Sequence, residues 1–183
     1  MPAELWLSLL AILVLIAASA FFSGSETALT AASRTRMHQR ASDGDVRAQR
    51  VEKLTANRER LIGSILLGNN AVNILSSSIA TSVLIGLFGD AGVAMATLGM
   101  TLLLLIFAEI LPKTVALHQP DRVALALSGP LALVVRILGP FSKVIGLIVR
   151  GVAWVIGIKL EGDRLMVSAD DLRGAIRLYD DPE

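Results

Sequence analysis

Cysteine is absent from the 183 residues, which excludes disulfides and thiolate metal sites and leaves the redox compartment open. Charge is scarce as well. Asp, Glu, Lys and Arg make up 18% of the chain, where a soluble domain carries about 25%. No charged residue falls in Leu5 to Phe22, Leu61 to Gly89 or Ala91 to Ala108, and each run reaches the ~18 residues that mark a bilayer span. With 54% hydrophobic residues, an ordinary soluble globule is excluded. The first run has no basic residue ahead of it, only Glu4, and exceeds the ~7 to 15 apolar residues of a signal peptide, so it reads as a retained span.

The net charge of +1 conceals an asymmetry. Between Ala31 and Arg60 stand eight basic residues (Arg34, Arg36, Arg40, Arg47, Arg50, Lys53, Arg58, Arg60) and four acidic ones, whereas the link Phe88-Gly89-Asp90-Ala91-Gly92 has no base. The positive-inside bias makes the first loop cytoplasmic and the second external. The expected architecture is an all-α membrane protein with three transmembrane helices, its N-terminus outside and its C-terminus cytoplasmic, multi-pass in the plasma (inner) membrane.

Ser33 to Arg60 reads as one or two surface helices joined by a turn at Ser42-Asp43-Gly44-Asp45, the Asp-Gly pair being a turn signal. After the third span, apolar runs from Val123 to Ile158 are cut by Arg136, Lys143 and Arg150, and Ser128-Gly129-Pro130 and Gly139-Pro140 read as breaks. None of these runs is long enough to cross, and bases recurring every ~7 positions suit amphipathic helices in the inner interface. The expected domains are 1–160, transmembrane with juxtamembrane helices, and 161–183, an acidic soluble connector in which Ser168-Ala169-Asp170-Asp171 resembles a helix N-cap.

Polar groups within a bilayer are costly and need a partner, a cavity or a purpose. Three clusters qualify, one per span. Ser23 and Glu26 share a helix face beside Gly24; Asn70, Asn73 and Ser77 form one stripe; and Pro112, which donates no amide hydrogen, frees the carbonyl of Ala108 beside Glu109. Together they offer hydroxyls, amide oxygens, a carbonyl and one or two carboxylates. That set suits a hard cation such as Mg2+, Ca2+ or Na+ and suits Zn2+ or copper poorly. His38 and His118 fall away from the clusters. Structural roles stand beside this reading: serines back-bonding to helix carbonyls, asparagines joining helices, and a Glu109–Lys113 ion pair at i, i+4. An intramembrane hydrolase ranks well behind, since no His or Lys lies in the apolar spans beside a serine.

At these residues the sequence resembles the transmembrane domain of the CNNM/CorC family of magnesium transporters. The matching motifs are Ser23-Gly24-Ser25-Glu26, Gly68-Asn69-Asn70 with Asn73, and Glu109-Ile110-Leu111-Pro112-Lys113. They cover roughly Leu5 to Leu160, and the tail is similar to the connector towards that family's cytosolic regulatory module. The resemblance implies a homodimer embedded in membrane lipids, without nucleic acid and not an enzyme, that exports Mg2+ in a Na+-linked manner. Carried over, the implied metal site is Ser23, Ser25, Asn70, Asn73 and Glu109, with backbone oxygens from Gly68 and Ala108. The alternative is a membrane-anchored Mg2+ sensor or assembly module without transport of its own.

Overall fold

The computed structural model describes residues 2–156, and these are helical almost throughout. The order is α1 (Pro2–Ala31), α2 (Arg34–Ser42), α3 (Val46–Ala56), α4 (Arg58–Phe88), α5 (Ala91–Leu103), a π-helical segment (Leu104–Ile110), α6 (Leu111–His118) and α7 (Pro120–Val155). By contact density the chain divides at Ile145/Gly146; the described part of the second unit is the end of α7 and Ile156. The connector expected at 161–183, with its N-cap at Ser168, lies outside the described residues.

The three stretches expected to span are helices long and apolar enough to cross a membrane: α1, α4 and the run α5–π–α6. α1 and α4 pack antiparallel: Ile12 and Ile16 share a cluster with Ala80, Ser19 bonds Asn69, and Phe22 lies over Gly68. The α5–π–α6 run closes the group, with Met100 and Ala108 joining the Ile12–Ile16–Ala80 cluster and Pro112 against Gly24. Little else in the spans is buried. Leu7, Leu10 and Leu13 of α1, Ile74 of α4, and Leu98 and Leu102 of α5 all point outward, as faces in contact with hydrocarbon do.

At one end, called here the basic end, α2 and α3 form a hairpin through the expected Asp43-Gly44 turn. Ser33, Asp45 and Asn57 cap α2, α3 and α4, each side chain accepting an amide hydrogen of the first turn. Met37, Ala41, Ala48 and Val51 then bury against Ala28 of α1, Ala116 of α6 and Ala124 and Leu125 of α7. At the other end the hairpin Gly89–Asp90 joins α4 to α5.

One expectation needs correcting. The stretch after the third span is not broken at Ser128-Gly129-Pro130 or Gly139-Pro140; α7 continues for 36 residues through both prolines. By length and composition four helices among the described residues, α7 included, are able to cross a membrane. Proline removes one backbone bond, but a chain in an apolar setting has no water to replace the remaining ones, so helix persists where a soluble chain would turn. The helix is three-sided. Ala124, Leu125, Ser128, Leu131 and Val135 are buried on the protein, Leu133, Ile137, Phe141 and Val144 are exposed, and Arg136 and Lys143 lie between.

Candidate cation site

The spans' hydroxyls have a cheap partner in the carbonyl one turn back, and most take it. Ser8 donates to Glu4 O, Thr27 to Ser23 O, Ser64 to Arg60 O, Ser76 to Asn73 O and Thr81 to Ser77 O, at 2.8–3.2 Å. Ser23 and Ser25 do not. Both are buried, and neither Oγ has a hydrogen-bond partner; the buried Oδ1 of Asn73 is likewise unpartnered. An unsatisfied buried polar atom costs about 1–3 kcal/mol, a cost that a water, an ion or a second helix surface at these three atoms would remove.

Their positions follow from the α1–α4 register. Ser19 Oγ donates to Asn69 Oδ1 at 2.7 Å and sets a common level for the two antiparallel helices. At ~1.5 Å per residue, Ser23 lies ~6 Å from that level towards the basic end and Ser25 ~9 Å, while Asn73 lies ~6 Å the other way. The unpartnered oxygens therefore lie over about 12 to 15 Å along the helices rather than in one coordination shell, Ser23 and Asn73 in a file on the α4 side of α1 and Ser25 behind it. Ser23 and Ser25, two residues apart, face opposite sides of α1, and both are covered because α1 is enclosed from Phe22 to Ser25.

Gly68 is buried, and the Phe22 ring fills the space its side chain would take. Ala108 is buried against α1 and α4. Asn70 and Glu109 are exposed; the Glu109 side chain is 56% accessible and accepts a 2.9 Å bond from Lys113 Nζ. The structure thus gathers Ser23, Ser25, Asn73, Gly68 and Ala108 inside the three-span group and leaves Asn70 and Glu109 on its surface. Sequence reasoning missed Ser19 and the role of Asn69. Ser19 carried a signal, standing four residues before Ser23 on the same face of an apolar run.

The third span contributes more than one freed carbonyl. Between Leu104 and Ile110 the helix is in π register, with Leu111 N–H donating to Ile106 O, and it returns to α register in α6. Four carbonyls, Phe107 to Ile110, then face three donor positions, of which Pro112 is void. Two carbonyls in that turn lack an amide donor, beside buried Ala108; Thr114 Oγ1 serves Ile110 O at 2.8 Å. Among the described residues no group of three or more His, Cys, Asp or Glu is placed to hold a metal. A cation within the spans would meet hydroxyl, amide and carbonyl oxygens, the ligand class of hard cations.

Residues 10–181 match the cyclin M transmembrane N-terminal domain. The chain belongs to the CNNM family. Among curated relatives, it is 44% identical over 143 residues to the UPF0053 inner membrane protein YfjD of Escherichia coli, covering 78% of this chain and 33% of that protein. It is 36% identical over 165 residues to a UPF0053 protein of Haemophilus influenzae, covering 90% and 39%. A protein of the same organism named polyamine export protein is 31% identical over 139 residues, covering 69% and 32%. The chain thus spans about a third of the length of the curated relatives it matches. As a CNNM member with several long apolar helices, it is a multi-pass membrane protein.

Proposed function

We propose that this domain carries Mg2+ across the membrane through the oxygen file between α1, α4 and α5–π–α6, exporting it in a Na+-linked manner as a homodimer. The observation that supports the reading is the set of buried, unpartnered Ser23, Ser25 and Asn73 oxygens together with the carbonyls exposed by the π-helical turn. A file offers successive ligand positions to an ion that must exchange water for protein oxygen stepwise, since Mg2+ dehydrates reluctantly. Glu109 and Asn70, on the surface of the single chain, are the ligands that a second copy or a helix rearrangement would bring in. We place the N-terminus outside and the C-terminus in the cytoplasm, with the basic end inward. In this reading α7 lies in the inner interface instead of forming a fourth span: its buried face contacts α2, α3 and the first turns of α4, and its Arg136–Lys143 stripe faces water.

The test is Mg2+ flux in liposomes holding the chain, with and without an opposing Na+ gradient, for the native sequence and for Ser23→Ala and Asn73→Ala. Flux that follows the Na+ gradient and falls at least tenfold in both variants supports the site. Mg2+-dependent stabilisation without flux favours the sensor or assembly reading. The relative named polyamine export protein supports a second reading, a polyamine cargo. Spermidine flux exceeding Mg2+ flux in the same vesicles would decide for it.

A further inference from the structure

A concentration of positive charge lies at the basic end, away from the cation site. A cleft of about 270 Å³ opens between α3, the start of α4 and α7, and Arg50, Lys53, Arg60 and Arg136 line it. No Asp or Glu is among its lining residues. Three of the belt's acids are used elsewhere: Asp121 pairs with Arg36, Glu52 with His38 and Asp45 with Arg47. Asn57, also on the cleft, caps α4 by accepting the Arg60 amide hydrogen at 3.1 Å, so the positive end of the α4 dipole adds to the four side chains.

Arg60 is the most constrained of the four. Its Nη2 donates to Val135 O at 3.3 Å and its guanidinium lies against Gly139, where α7 has no side chain. Its Nε is buried without a partner. Four like charges around one cleft repel one another, a cost that an anion in their midst removes. The planar guanidinium fork matches phosphate oxygens in particular. Leu54 and Val135 make the remaining wall apolar, and the neighbours of Arg136 on α7, Leu133 and Ile137, are exposed apolar residues. Phosphate-binding groups thus adjoin a surface suited to acyl chains.

We infer that this cleft binds the phosphate of an anionic phospholipid, with Arg50, Lys53, Arg60 and Arg136 around the headgroup and the acyl chains along Leu133 and Ile137. A lipid held there joins α3, α4 and α7 and fixes the domain's depth in the leaflet. The inference stands independently of the transported ion.

The test uses the whole chain in detergent, with dioleoylphosphatidylglycerol, dioleoylphosphatidylcholine, glycerol 3-phosphate or inorganic phosphate added, and reads retained lipid by native mass spectrometry and Tm by fluorescence. Phosphatidylglycerol should be retained at one per chain under activation that strips phosphatidylcholine, and should raise Tm by several degrees. The double variant Arg50→Gln/Lys53→Gln, at exposed positions that leave the Arg60 anchor intact, should weaken retention at least tenfold. Arg34→Gln/Arg122→Gln removes the same charge from the same belt outside the cleft and should leave retention unchanged. Equal loss in both double variants would show a diffuse electrostatic effect and overturn the site, as would full retention in the cleft variant. If glycerol 3-phosphate or inorganic phosphate stabilises the protein as well as the lipid does, the cleft takes free phosphate and the lipid assignment fails.

Discussion

Ser19 on α1 donates a 2.7 Å hydrogen bond to Asn69 Oδ1 on α4, a side-chain bond that joins these two antiparallel helices and sets their register. Hydrophobic force does not hold helices together in lipid, so such bonds and close packing carry association. Ser19→Ala should lower stability by about 0.6 kcal/mol, within the usual range for interhelical bonds. Asn69→Leu should cost more, because it removes the same bond and also puts a branched side chain of different shape into the α1–α4 contact. Unfolding in mixed micelles or steric trapping in bicelles measures both; a larger loss for Ser19→Ala than for Asn69→Leu would mean the bond is not the register lock.

The close approach at Gly68 leads to a second expectation. A Cβ there would overlap the Phe22 ring, and overpacking of this kind costs about 1–3 kcal/mol. Gly68→Ala should therefore destabilise the α1–α4 pair, and Phe22→Leu should recover part of the loss. In a double-mutant cycle the coupling should be about 0.5–3 kcal/mol and of rescuing sign. Simple additivity would show that the ring moves aside freely.

The span boundaries, the basic hairpin α2–α3 and the Asp43-Gly44 turn were all legible in the sequence, because uncharged runs and Asp-Gly pairs act locally. α7 was not. Gly-Pro pairs at 129–130 and 139–140 are turn signals in water, and the apolar setting, with Leu131 and Val135 buried against Leu54, Leu61 and Ile65, holds the helix through them. Within the site, Ser23, Ser25 and Asn73 stood out as polar residues in apolar runs, and the structure buries the two serines and the Oδ1 of Asn73. The π register around Ala108 has no residue period to announce it; Pro112 was its only trace. That Asn69 rather than Asn70 faces α1 depends on helix rotation, which adjacent asparagines leave undetermined.

Stability at the basic end should depend on acid pH. Hydrogen bonding from the Arg36 side chain, and then from the Ser33 amide, holds the Asp121 carboxyl below its ordinary value. A carboxylate with a depressed folded-state pKa contributes stability that is fully present above its unfolded value of about 3.9 and is lost as pH falls through the folded value. Hydrogen exchange of the α2 amides should be flat from pH 8 to 5, after correction for intrinsic rates, and protection should fall below about pH 4. Asp121→Asn should show reduced protection across the whole range, with the acid step gone. A step of equal size in the variant would assign it to another carboxylate.

Pro112 separates the structural and ligand roles of the π-helical turn. It withholds one amide from the carbonyls of Phe107 to Ile110, and the register change withholds another. Pro112→Ala returns one donor and relaxes the return to α register, and alanine keeps the Cβ that faces Gly24, so helix stability should rise or hold. If the freed carbonyls are ligands, the same change removes one from the file, and Mg2+ binding should weaken by about tenfold, equivalent to 1.4 kcal/mol. The informative result is the divergence of the two readouts, Tm level or up and Mg2+ affinity down, measured by thermal unfolding with and without Mg2+. Should affinity fall only in proportion to a falling Tm, the turn is structural and the carbonyls take no part in holding the ion.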